Sequence, residues 1–258
     1  MGNRLKGKVA VVTGAGAGIG RASALAFAKR GAKVVVADWV TEGGDETVQM
    51  IKLAGGEATF FKADVSKSAE VEVLIKKAIG IYGRLDFAHN NAGLAMRKEW
   101  APTADISEEL WDRMININLK SVWLCMKFEI PQMLKLGKGA IVNTSALSGL
   151  LGNAKAGSPY IASKHGVCGL TRAAAAEYGK LGIRVNAVCP GIVRTARSEP
   201  DSEAAAKIQM ERLAQSPAGR KAEPEEIAEA VVWLCSDSAS YINGHLLPLD
   251  YGTVAQFS

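Results

Sequence analysis

Seven short apolar runs punctuate the 258-residue chain: VAVVTG from Val9, KVVVAD from Lys33, ATFFKAD from Ala58, LDFAHN from Leu85, GAIVNTS from Gly139, IRVNAVCPG from Ile183 and HLLPLD from His245. They are too apolar to leave one face wet and are rich in Val, Ile and Phe, which is the pattern of strands covered on both sides in a parallel sheet. Segments of helical period separate them. Several of those segments stop at a glycine just before the next strand, at Gly31, Gly56, Gly83 and Gly182, where a left-handed cap turns the chain without a Cβ clash. The cadence predicts an α/β fold in a single domain over residues 1–258, with a doubly wound parallel seven-stranded sheet and ligands at the carboxyl ends of its strands. One stretch breaks the cadence. Residues 194–223 are too long for an ordinary connection and are either a lid with its own helix around 204–213, the favoured reading, or a disordered excursion.

Composition narrows the picture by exclusion. The formal charge of +5, from 31 basic and 26 acidic residues, is scattered, and no basic run interleaved with aromatics marks a nucleic-acid face. Cys125, Cys168, Cys189 and Cys235 lie far apart without a C-x-x-C pair, and at least two fall in apolar runs that read as core. No charged-then-apolar leader precedes Lys8, and no uncharged apolar run approaches the roughly 18 residues of a membrane span. The expectation is a cytoplasmic protein with no membrane and no nucleic-acid partner. His89, His165 and His245 have no metal-ligand spacing, so no metal is expected.

The first strand runs into Thr13-Gly14-Ala15-Gly16-Ala17-Gly18-Ile19-Gly20, and helical composition follows to Arg30. A glycine-rich turn at a helix start lets backbone amides and the positive helix terminus meet a pyrophosphate, and the strand-loop-helix setting makes this a Rossmann-like dinucleotide signal. Asp38 ends the second strand about 20 residues on, where its carboxylate can accept hydrogen bonds from both adenosine ribose hydroxyls. That argues for NAD, because a 2′-phosphate would meet a like charge at a cost of about 4 kcal/mol per unit pair about 4 Å apart. Trp39 either stacks beside the adenine or is an exposed loop aromatic.

Tyr160 and Lys164 stand four apart in a helical segment, 158–178, that follows the fifth strand, so they share one face at the ligand end of the sheet. An adjacent ammonium favours the phenolate of a tyrosine whose ordinary pKa is about 10. With TGAGAGIG at Thr13, NNAG at Asn90, Asn118 in NINLKSVW, YIASK at Tyr160 and PGIVRT at Pro190, nearly the whole chain resembles the short-chain dehydrogenase/reductase family. The resemblance implies a hydride transfer between NAD and a secondary alcohol or its ketone. It makes Tyr160 the proton donor or acceptor, Lys164 the group that binds the nicotinamide ribose and lowers the Tyr160 pKa, and Asn118 the holder of a relay water. It places Asp64 and Val65 about the adenine, Asn91, Ala92 and Gly93 on the adenosine ribose side, and Pro190, Gly191, Val193 and Thr195 at the carboxamide. Gly14, Gly18, Ile19, Gly20 and Asp38, with Tyr160 beside Lys164, complete the cofactor site.

One position departs from the family, which carries a serine there to hydrogen-bond the substrate oxygen. Ungapped alignment of GAIVNTSALSG from Gly139 puts Ala146 in that slot, with Ser145 and Ser148 flanking it. In an extended segment Ser148 shares the face of Ala146 and Ser145 points away, unless a bulge shifts the register. Three readings stand: an introduced replacement of the serine, donation by Ser148 or Ser145, or a slower enzyme. Ser148 is taken as a candidate catalytic residue. Ala146, Leu147, Met96 and Ile192, with Leu94 and the segment near Met210, are apolar pocket candidates and favour a hydrophobic, cyclic alcohol or ketone over a sugar. The alternative from another class is an NAD-binding regulatory or sensor protein of the same fold. Family relatives are usually tetramers or dimers. Here Trp111, Trp123, Met126, Phe128 and the Ala173–Ala176 run on the helices that would assemble them point to a homotetramer.

Overall fold

The computed structural model describes residues 5–96, 100–152, 156–195, 203–214 and 216–256, with the side chains at 204, 205, 208 and 212 left aside. All seven apolar runs are strands: β1 (Val9–Thr13), β2 (Lys33–Asp38), β3 (Ala58–Lys62), β4 (Phe87–Asn90), β5 (Gly139–Thr144), β6 (Ile183–Pro190) and β7 (Leu246–Leu249). They pair in parallel in the order β3-β2-β1-β4-β5-β6-β7. The helices are α1 (Gly18–Lys29), α2 (Thr41–Leu53), α3 (Ser68–Tyr82), α4 (Glu108–Ile115), α5 (Ser121–Leu136), α6 (Ser158–Tyr178), α7 (Glu203–Ala214) and α8 (Pro224–Cys235).

The two faces of the sheet explain why the strands read as unbroken apolar runs. Side chains alternate along a strand, so Ala10 and Val12 of β1 pack with Phe27 of α1 and Val231 of α8, whereas Val11 packs with Leu74 of α3, Met126 of α5 and Val167 of α6. Each such aliphatic side chain, fully buried, contributes about 1.5–3 kcal/mol. Strand order reverses between β1 and β4, and the opening there at the carboxyl ends is where such a sheet takes its ligand.

Two expectations need correction. The glycine that turns positive before β3 is Gly55 (φ 80°) and not Gly56, while Gly31, Gly83 and Gly182 turn as expected. The chain needs the left-handed residue directly after the Ala54 cap, one position earlier than the spacing suggested. Met126, Ala174 and Ala175, assigned to an outer assembly face, are buried in the chain's own core against the sheet. Trp111 and Trp123 are exposed. The helix expected at 204–213 is α7, but 196–202 and 215 of the expected lid lie outside the described residues. No helix among the described residues is long and apolar enough to cross a membrane.

Candidate active site

β1 delivers the chain into a turn that closes only because Gly14, Gly18 and Gly20 carry no side chains. Gly14 and Gly18 have φ of 63° and 53°. A methyl group on Gly20 would overlap the Gly14 carbonyl oxygen, and one on Gly14 would lie 2.9 Å from Ala92 Cα. Ile19 anchors the start of α1 in the core. Among the described residues no side chain caps Ala17, so the first N–H groups of α1 are open to an anionic ligand. Gly16 is pinned from both sides. Its N–H donates to Asp38 Oδ2 (2.8 Å), and its carbonyl accepts from Arg21 Nη2 (2.5 Å), a guanidinium itself held by Glu46 and Thr47. Asp38 Oδ1 accepts the Val40 N–H at 3.0 Å, so the carboxylate is fixed at the edge of the loop.

The segment after β4 closes the other side. Thr13 Oγ1 accepts the N–H groups of Asn91 (3.0 Å) and Ala92 (3.2 Å), and Asn91 Nδ2 donates to the carbonyls of Thr13 and Gly14. A methyl group on Gly93 would stand 3.0 Å from Asn118 Oδ1 and 3.5 Å from Lys164 Nζ, and one on Gly18 would stand 3.0 Å from Thr195 Cγ2. Val65 is buried and packs beside Ala92, while Asp64 Oδ1 accepts from the backbone and hydroxyl of Ser66. Burial opposes ionisation of Asp64, but Ser66 and Lys67 outweigh it and hold the carboxyl below its ordinary value. Pro190 ends β6, the Gly191 N–H donates to Leu249 O, and Val193 bridges to Ala222. A cradle that any Cβ would fill, amides at a helix start and an acidic edge are what a nicotinamide dinucleotide requires, so these residues fit that cofactor.

Tyr160 and Lys164 face each other across one turn of α6, with Lys164 Nζ 5.8 Å from the centre of the phenol ring. Lys164 is buried, and its ammonium donates to Thr144 O at 3.0 Å. Burial pushes Lys164 down to about 8 and Tyr160 up to about 12. Burial of the phenol thus acts against the lowering expected from Lys164. Asn118 lies in a π-helical turn, Asn116–Lys120, that joins α4 to α5. Its side chain accepts from Leu94 N (2.6 Å) and donates to Leu94 O (2.9 Å), tying the chain after β4 to the helix bend.

At the departing position, Leu147–Gly149 forms a 3-10 turn, so the extended alternation used to place Ser148 with Ala146 does not hold. Ala146 is extended and 8% exposed. Ser145 is buried, and its one hydroxyl proton goes to Lys164 O at 2.9 Å, with Cys168 Sγ 3.2 Å away. Ser145 thus has no proton to give a substrate. Ser148 is half-buried within that turn. Met96 packs directly over Gly157, at the start of the helix that carries Tyr160, and Leu94, Leu147 and Ile192 are half-buried. Met210 is 72% exposed in α7, which removes it from the pocket wall in this conformation.

Sequence reasoning missed three groups. Thr144 holds Lys164 through its carbonyl, Thr13 orders the turn after β4, and Arg21 braces the loop against α2. Backbone acceptors leave no sequence signal; Arg21, next to the last glycine, was the one legible in principle. The four cysteines are free and buried. Trp39 is 54% exposed. No metal-ligating cluster occurs among the described residues.

A parallel sheet with a glycine cradle at its switch point and a Tyr-Lys pair beside it defines a nicotinamide-dependent oxidoreductase. A family model described as enoyl-(acyl carrier protein) reductase matches residues 14–254. The chain is 41% identical over 252 residues to a 2,5-dichloro-2,5-cyclohexadiene-1,4-diol dehydrogenase of Sphingobium indicum, covering 97% of this chain and 98% of that one. It is 40% identical over 250 residues to a cyclohexanol dehydrogenase of Acinetobacter sp., covering 97% and 96%. The crystal structure of levodione reductase superposes with a TM-score of 0.93 at 36% identity over 98% of this chain and 99% of that one. The protein belongs to the short-chain dehydrogenase/reductase family and is an oxidoreductase.

Proposed function

We propose that the protein is an NAD-dependent dehydrogenase of hydrophobic cyclic secondary alcohols, acting reversibly on the ketones. The observation that carries this reading is the convergence of Lys164, Asn118 and Gly93 beside Tyr160 at the carboxyl ends of β4 and β5, with Lys164 fixed on Thr144 O. The half-buried apolar group of Leu94, Met96, Leu147 and Ile192, and relatives named for cyclohexanol and a cyclohexadiene-diol, support the substrate class. Asp38, anchored to Gly16 and Val40, supports NAD over NADP.

The bound nicotinamide supplies the hydride acceptor or donor. Gly14, Gly18, Gly20, Asp38, Asp64, Val65, Asn91, Ala92, Gly93, Lys164 and the 190–195 segment would hold the dinucleotide. The Tyr160 oxygen takes the hydroxyl proton in oxidation and returns it in reduction. Lys164 keeps the phenolate accessible by its charge, and Asn118 holds the segment after β4 in register with the pair. Residues 194–223 are assigned as a substrate lid with α7 as its helix. Exposed Trp111 and Trp123, with half-buried Phe128, support a homotetramer, for which light scattering would read about four times the 27.2 kDa chain and not one. The reading is tested by Tyr160→Phe, which leaves cofactor binding intact and abolishes NADH formation from cyclohexanol; retained turnover would remove Tyr160 from the chemistry.

A further inference from the structure

We propose that Glu129 keeps its proton in the folded protein and closes a cyclic acid–amide pair with Asn90, which makes it a positioning residue for the carboxyl ends of β4 and β5. Glu129 is fully buried on α5, with no cation among its described partners. Asn90 Nδ2 donates to Glu129 Oε2 at 3.1 Å and to Asn143 Oδ1 at 3.1 Å, and Asn143 Nδ2 donates to Thr171 Oγ1 at 3.0 Å. Among the described residues, two buried oxygens of this cluster have no donor, Glu129 Oε1 and Asn90 Oδ1. Both belong to the pair already joined by one hydrogen bond. An ionised carboxylate would leave both unsatisfied, and each buried orphan carries the full desolvation penalty of an unmade hydrogen bond. One proton on Oε1, donated to Asn90 Oδ1, satisfies both and removes the buried charge.

The surroundings agree. β4, β5 and α6 present Asn90, Asn143 and Thr171, all neutral, and Cys125 on α5 is the titratable neighbour recorded against Glu129. On the α3 side the neighbours of Cys125 are apolar. Burial raises the Glu129 carboxyl to about 8. The residues after the two clamped asparagines are those that build the site. Asn91 carries the Thr13 and Gly14 carbonyls, and Thr144 carries Lys164.

A raised carboxyl pKa favours the folded state fully below the ordinary value of 4.5, and that contribution is lost as pH rises toward about 8. Infrared spectroscopy of the unmodified protein at pH 6.5 should show the carbonyl stretch of one protonated carboxyl, which disappears by pH 9.5. The other shifted carboxyls, Asp64, Asp86, Glu70, Glu109 and Glu226, are all lowered and ionised at pH 6.5. Glu129→Gln completes the same pair with its own amide, so the band should vanish. The unfolding constant of the unmodified protein should then rise relative to this variant by roughly tenfold per pH unit between pH 5 and 8. Glu129→Leu strands the Asn90 amide and should cut kcat/KM by roughly tenfold or more through misplaced Lys164 and loop geometry, while Glu129→Gln retains it. That kinetic arm rests on the dehydrogenase reading; the spectroscopic and stability arms do not. Absence of the band at pH 6.5, or parallel stability profiles for the unmodified protein and Glu129→Gln, would overturn the proposal, even if the kinetic arm fails separately.

Discussion

Restoring the family serine by Ala146→Ser should raise kcat sharply with little effect on cofactor affinity. Charge that develops on the substrate oxygen needs donors, and Tyr160 offers one. Ser145 cannot supply another, because its proton is committed to Lys164 O. Position 146 is extended and nearly closed to solvent, so a hydroxyl there would add a donor at a fixed place without rebuilding the backbone. One such donor is worth about 2.7–4 kcal/mol, a hundred to a thousandfold in kcat. The dinucleotide cradle lies on the β1 and β4 loops, so NAD affinity should stay within about twofold. Steady-state kinetics on cyclohexanol for Ala146→Ser and Ser148→Ala, with NAD titration by fluorescence, checks it. No gain from the first and a collapse in the second would refute the reasoning and make Ser148 the donor, despite the 3-10 turn that carries it.

The unmodified protein should prefer NAD to NADP by about tenfold or more in kcat/KM, and Asp38→Ala should narrow the gap; equal use of both by the unmodified protein would show that Asp38 does not read the ribose. Because the phenol is pushed up to about 12, its ionised fraction rises with pH. Alcohol oxidation should therefore climb from pH 6, by up to about tenfold per unit, and flatten above about 8 as Lys164 loses its proton. Ketone reduction, which needs the protonated phenol, should not climb, and a flat oxidation profile would count against Tyr160 as the base. Gly20→Ala forces a methyl into the Gly14 carbonyl, so it should cost about 1–3 kcal/mol and lower Tm by several degrees, with weakened NAD binding; calorimetry with NAD titration checks both.

The seven strands and the cradle were legible because parallel strands and phosphate turns impose strong local patterns. Val9 to Thr13 followed by four glycines admits few other folds. The Tyr160–Lys164 pair was legible through helical spacing. What the pattern could not carry is register and commitment of hydrogen bonds. Gly55 rather than Gly56 turns the chain because cap positions shift by one residue without altering periodicity. Met126 and Trp123 are three apart on one helix, yet one faces the sheet and the other solvent, a matter of helix rotation. Ser145 was ambiguous until its proton was traced to Lys164 O, and the burial that raises the Tyr160 pKa depends on the whole fold, which no local pattern carries.

The most direct test of the central claim is a panel of cyclic and linear secondary alcohols offered with NAD and read by NADH absorbance, for the unmodified protein, Tyr160→Phe and Ala146→Ser. The account predicts NADH formation, favouring cyclic alcohols, in the unmodified protein, more in Ala146→Ser and none in Tyr160→Phe. Tight NAD binding without turnover of any alcohol, or of the ketones with NADH, even in Ala146→Ser, would contradict it.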